Sequence, residues 1–86
     1  MKTHKLKTWP QYFDDLRTGK KSFELRKNDR RFAVGDVLML EEYDPMTKTY
    51  SGKCLLFDIT YIHSNATFGL RTGFVILGLR RRGVAG

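Results

Sequence analysis

The sequence predicts a mainly β protein with one or two short helices, built as a small β-barrel of about five strands with a helix packed against it. Three observations point there. Helical periodicity occurs in one segment only, Trp9 to Arg17. Strand-like runs, alternating or wholly apolar, recur along the rest of the chain. Most of the connections between them are too short to hold crossover helices, which excludes a doubly wound parallel sheet.

Thr3 to Lys7 alternates His4 and Leu6 with Thr3, Lys5 and Lys7, a strand with a basic outer face. In the helical segment Trp9, Tyr12, Phe13 and Leu16 form the apolar stripe, and Asp14, Asp15 and Arg17 lie opposite. Thr8 is the expected N-cap, Pro10 suits the first turn, and Gly19 suits the left-handed position after the last turn. A strand opens at Ser22, with Ser22, Glu24, Arg26 and Asn28 on one face and Phe23 and Leu25 on the other. Gly35-Asp36 makes a turn into the strand Val37 to Tyr43. A loop from Asp44-Pro45 to Ser51-Gly52 then leads into the longest strand, Lys53 to His63, whose inner face is Leu55, Phe57, Ile59 and Tyr61. Ser64 to Gly73 is a loop with a short turn near Thr67 to Leu70, and Phe74 to Leu79 is a strand either covered on both sides or closing a barrel. One domain spans 1–86, with 80–86 as a flexible basic tail.

The chain has 16 Lys plus Arg against 9 Asp plus Glu, a net charge of +7 and a pI near 9.9. Such a field attracts polyanions, so nucleic acid or a nucleotide is the first expected partner. Apolar residues make up 41% of the chain, enough for a packed core and against a disordered tail. Cys54, the single cysteine, excludes an internal disulfide and suggests a small packed side chain in a reducing cytoplasm. Lys2, Thr3, His4 and Lys5 after Met1 do not read as an export leader, and no run is long enough to span a membrane. With two histidines and one cysteine at no ligand spacing, no metal is expected, nor any cofactor, and the chain is taken as a monomer.

The stretch Gly19-Lys20-Lys21-Ser22-Phe23-Glu24-Leu25-Arg26 fits Gly-x-Lys-x-x-Glu-x-Arg, the pattern that marks ASCH domains of the PUA-like superfamily. The blocks Lys27-Asn28-Asp29-Arg30, Phe32-x-Val34-Gly35-Asp36 and Glu42-Tyr43-Asp44-Pro45, with the opening His4-Lys5-Leu6-Lys7, resemble the small ASCH-related family DUF3850 from about residue 3 to Leu79. That resemblance implies a PUA-like barrel whose cleft is lined by the motif, and relatives that bind RNA or modified nucleosides.

On the residues alone, Glu24 and Arg26 form either a solvated same-strand ion pair, at ~0 to 1 kcal/mol, or the polar floor of a cleft. The resemblance favours the cleft, where Arg26 offers a planar fork and Glu24 an acceptor for an exocyclic amine. Lys21 adds a donor for phosphate or a base carbonyl. His4 is expected at the barrel rim beside the motif, with Lys27, Arg30, Arg31 and Lys53 continuing a basic track for backbone phosphates. Core packing claims Tyr12 and Tyr61, whereas Tyr43 and Tyr50 flank the hairpin loop as a cross-strand pair or as base contacts.

The expected function is a nucleic-acid-binding module, RNA first. The alternative is a small hydrolase of a modified nucleoside, since one ASCH group removes an acyl group from cytidine with a Lys, a Thr and a Glu. Lys21 matches that Lys, but Glu24 stands in place of the Thr, and Asp58 is only a weak candidate for the third member. A weak ribonuclease would have to use Lys21 with His4.

Overall fold

In the computed structural model, which describes residues 1–64, 66 and 68–82, alternation in the first segment is realised directly. Strand β1 (Thr3–Thr8) buries His4, Leu6 and Thr8 and exposes the residues between them. Helix α1 (Pro10–Thr18) follows, then β2 (Phe23–Lys27), β3 (Val37–Asp44), β4 (Thr49–His63) and β5 (Phe74–Arg81). The five strands form one sheet in the order β1-β3-β4-β5-β2, with β1 parallel to β3 and the other neighbours antiparallel. The sheet curls into a half-barrel with α1 packed against it. Leu38, Leu40, Leu55, Ile59, Val75 and Leu77 lie at the centre of the core, and α1 contributes Phe13 and Leu16.

The curl brings the two edge strands face to face, and arginine side chains bridge them. Arg26 of β2 donates to the Lys7 carbonyl at 2.8 Å, and Arg30 donates to the Lys5 carbonyl at 3.0 Å. These bonds occupy acceptors on an edge that would otherwise be open to another strand.

Several details depart from the sequence expectation. Thr8 does not cap α1, because it continues β1 as an inward residue paired with Glu42. The cap position falls on Trp9, in extended backbone and without a side-chain cap bond, and Pro10 starts the helix. Gly19 closes it as expected, at φ 83°. Trp9 and Tyr12 are exposed instead of packed in the core. Trp9 lies outside the helix, so the helical period does not govern it, and Tyr12 sits at the border of the stripe.

The hairpin loop is shorter than expected, since β3 runs to Asp44 and β4 starts at Thr49, paired with it. Tyr43 and Tyr50 pack edge to face at 4.9 Å and extend the ladder. In β4 the register shifts between Ile59 and Tyr61. This irregularity turns Tyr61 outward, to 67% exposure, and shifts the inner face from Ile59 to Ile62, which pairs with buried Leu77 and packs against the core. Gly78 lies opposite, where an added Cβ would sit 3.2 Å from that of Tyr61. Strand β5 is covered fully on one side only, with Val75, Leu77 and Leu79 buried and Phe74 and Ile76 half-buried. Cys54 is exposed on the outer face of β4 instead of packed. The basic tail begins later than expected: Arg80 and Arg81 belong to β5, and Arg82 donates its N–H to the Leu56 carbonyl. Residues 83–86 of that tail, and Thr67 of the loop turn, lie outside the described residues; the described part of the turn is at Phe68-Gly69.

Candidate functional site

Strand β2 contradicts the ordinary rule of apolar in and polar out. Glu24 is only 3% exposed, whereas Phe23 and Leu25 are 47% and 54% exposed. Register explains the inversion: Glu24 pairs with Leu77 and Arg26 with Val75, both core residues, so the charged face of β2 shares the inner side of the sheet. A buried carboxylate must be paired to stay charged. Glu24 Oε1 accepts from Lys21 Nζ at 3.2 Å and Oε2 from Arg26 Nε at 2.7 Å. The tight turn after Gly19, in which the Lys21 N–H donates to the Asp15 carbonyl at 3.0 Å, places Lys21 over this pair.

These residues line an open cleft of about 670 Å³ between α1, the end of β1 and β2. Three rings border it: Trp9 and Tyr12 stack with centroids 6.1 Å apart, and Phe23 lies across Lys21. The Lys21 ammonium is 4.7 Å from the Tyr12 centroid and 5.3 Å from that of Phe23. It is thus held by a carboxylate and two ring faces at once. Thr8 also lines the cleft, and its buried Oγ1 lacks a hydrogen-bond partner among the described residues. An unsatisfied buried hydroxyl costs about 1–3 kcal/mol.

Of the site residues expected from the sequence, Lys21, Glu24 and Arg26 come together at this cleft, and His4, Lys27, Arg30 and Asp58 do not, whereas Tyr12, expected in the core, borders it. His4 is not at the rim beside the motif. It is buried on the same inward face as Thr8 but toward the opposite end of β1, where its Nε2 lies 2.9 Å from Asp36 Oδ2 and its ring meets Phe32 edge-on at 4.8 Å. It therefore gives Lys21 no partner for a ribonuclease. Lys27 is exposed on the outer face of β2, and Arg30 is engaged at the β1 edge. Asp58 lies off the cleft, 3.7 Å from both Arg80 and Arg82. Trp9, Phe23 and Thr8 had no sequence signal as site residues, because nothing local shows that β2 and the end of β1 face each other.

Asp36 receives the Lys2 N–H at 3.0 Å and the Ala33 N–H at 3.1 Å in addition to His4. The His4 contact first, then the Lys2 and Ala33 amides, hold its carboxyl below the ordinary value of 3.8, against the opposing effect of burial. The acceptor is thus the carboxylate, and His4 presents an Nε2–H to it.

Among the described residues no group of three or more His, Cys, Asp or Glu could hold a metal, and no helix is long and apolar enough to cross a membrane.

The fold is similar to that in the crystal structure of hypothetical protein PH0355, with a TM-score of 0.66 at 16% identity over 94% of this chain and 99% of that one. At that identity the likeness concerns the fold alone. A 42-residue stretch is 45% identical to an uncharacterized 12.9 kDa protein in the GpA 3′ region of Escherichia phage P2. The match covers 49% of this chain and 38% of the phage protein, so it spans well under half of that relative's length. The model of a domain of unknown function, DUF3850, matches residues 3–79, and the chain belongs to that family.

Proposed function

We propose that the protein is a nucleic-acid-binding module of the ASCH and PUA-like kind, acting on RNA from the cytoplasm, with the motif cleft as its ligand site. The observation that carries this reading is the cleft itself. The Lys21, Glu24 and Arg26 cluster sits beside three exposed rings on a chain of net charge +7. Polar groups that fix a base edge, ring faces that stack on it and a field that draws in the polyanion are what single-stranded RNA recognition requires.

The test is fluorescence anisotropy of a labelled single-stranded RNA at low and physiological salt, with wild type and Lys21→Ala/Arg26→Ala. Binding that weakens with salt, and falls in the double variant beyond the loss of two charges, supports the reading. Because that variant strands Glu24, a second one, K21M/E24Q/R26M, removes the charges together, and circular dichroism verifies its fold. Equal binding by all three proteins overturns the reading.

One observation favours the hydrolase as second reading. Glu24 occupies the motif place of the Thr, yet Thr8 of β1 lines the same cleft, so a Lys, a Thr and a Glu all border it. Turnover of acylated cytidine by wild type, lost in Lys21→Met, would establish that reading over simple binding.

A further inference from the structure

With the charged set of β2 turned inward, its apolar set stands on the outer face of the sheet, and the register assembles a patch there. Phe23 and Tyr61 lie on either side of Gly78, and Leu25 and His63 on either side of Ile76. Tyr61 leaves the sheet on the side that a Gly78 Cβ would take, since the two Cβ atoms would be only 3.2 Å apart. The patch is therefore continuous over three strands and is not a scatter of single side chains. The loop before β5 walls one end of it. Leu25, His63 and Ile76 meet Phe68, Gly69 and Leu70 around a groove of about 420 Å³.

Phe68 is the second pointer. It is 97% exposed, and its φ of 58° is in the left-handed region, which a bulky L side chain occupies at a cost. At that exposure the ring gains no burial from its own chain, so the cost is unmatched in the isolated protein. A partner that covers the ring supplies the missing burial.

Charge selects that partner. Lys27 continues the outer face of β2 opposite Phe74, Arg71 holds its guanidinium 6.0 Å from the Phe74 centroid, and Arg80 follows Gly78 on β5. On the outer face of β2, β4 and β5 the one carboxylate is Asp58, with Arg80 and Arg82 each 3.7 Å away. Lys27, Arg71, Arg80 and Arg82 thus stand against Asp58 and Asp29, on a chain of net charge +7. A second copy would set one cationic rim against another, which opposes association. Single-stranded RNA stacks on open ring platforms, whereas the groove is lined by the aliphatic Leu25, Leu70 and Ile76. An apolar floor inside a cationic rim suits a protein segment that inserts one bulky apolar side chain between acidic neighbours.

We propose that the outer face of β2, β5 and β4 docks an acidic segment of a partner protein, with one apolar side chain anchored in the groove beside Phe68. This surface meets the motif cleft only along β2, and the inference does not depend on RNA binding.

The probe is a synthetic peptide of Asp and Glu residues around one central Leu or Trp, titrated into isotope-labelled protein by NMR. Control peptides carry Ser at the centre, or Lys and Arg in place of the acids. The anchored acidic peptide should shift the backbone amide resonances of Gly69, Leu70 and Ile76 saturably, and less so at high salt. The Ser-centred peptide should bind about tenfold more weakly, and the basic one should not bind. Phe68→Asn removes the ring but suits the left-handed backbone. It should hold or raise the melting temperature, weaken the acidic peptide about tenfold and leave RNA affinity unchanged.

Absence of shifts at the groove overturns the proposal. Equal binding of the Ser-centred peptide, or wild-type affinity in Phe68→Asn, also overturns it, because charge alone then accounts for the contact. Sedimentation of the wild type as a dimer that Phe68→Asn dissociates assigns the face to a second copy. Shifts of Leu70 and Ile76 with single-stranded RNA assign it to nucleic acid, and either result overturns the acidic partner.

Discussion

Asp36 and Glu24 are the two buried acidic residues among those described, and their surroundings differ in kind. Asp36 is enclosed by two backbone N–H groups and one imidazole. Each of these donors has a single hydrogen to give at that contact, and each gives it to the carboxylate. The group joins the loop before β3 to the start of β1 and, with Asp36 and His4 both buried, presents no surface to a ligand. Glu24 is held by two long side chains, 20% and 25% exposed, whose remaining N–H groups reach the cleft. Equal burial therefore conceals opposite roles. A carboxylate satisfied by backbone is a structural joint, and one satisfied by partly exposed cations can exchange a partner for a ligand.

Removing each carboxylate tests that contrast, and the largest effect should come from Asp36→Ala. It strands two N–H groups and His4, and should lower stability by about 2–3 kcal/mol in urea unfolding. RNA affinity of the folded fraction should stay unchanged. A loss of RNA binding at full folding would erase the distinction between the two sites.

Glu24→Gln should be milder, about 1–2 kcal/mol, because Lys21 and Arg26 can rehydrate through the cleft. Its functional effect should be the larger one: the cleft loses one of the two carboxylates that line it, so inorganic phosphate binds more tightly and the salt dependence of RNA binding steepens. No change in phosphate binding would show that Glu24 does not limit anion binding there.

Acid sharpens the comparison further. The folded carboxyl of Asp36 lies below 3.8, so its contribution is fully present above that value and is lost as pH falls through the lowered folded value. Thermal melts of wild type should show this acid loss, and melts of Asp36→Asn should not. The smallest effect belongs to the exposed Asp14–Arg17 pair on α1, at 2.6 Å. Asp14→Ala should change stability by about 0–0.5 kcal/mol, which makes it the solvated control for both buried groups.

Much of this was legible in the chain. The period of α1, its Pro10 start and its Gly19 stop are local, and so are the alternation of β1 and the inner face of β4 as far as Ile59. The pairing of Glu24 with Arg26 was legible too, because a period of two places them on one face whatever surrounds it, whereas Lys21, which precedes the strand, joined them only through the motif. The inward role of Thr8, the outward turn of Tyr61 and the position of His4 were not, since each depends on a neighbour distant in sequence.

Alternation along β2 divides its residues into two faces but cannot say which is covered. That was decided by the register with β5, which sets Glu24 beside Leu77, and by the curl that brings the β1 edge within reach of Arg26. The sequence by itself determined which side chains stand together. Only the tertiary structure decided that the charged set turns inward and the apolar set outward, because burial is a property of what lies opposite a strand and not of the strand.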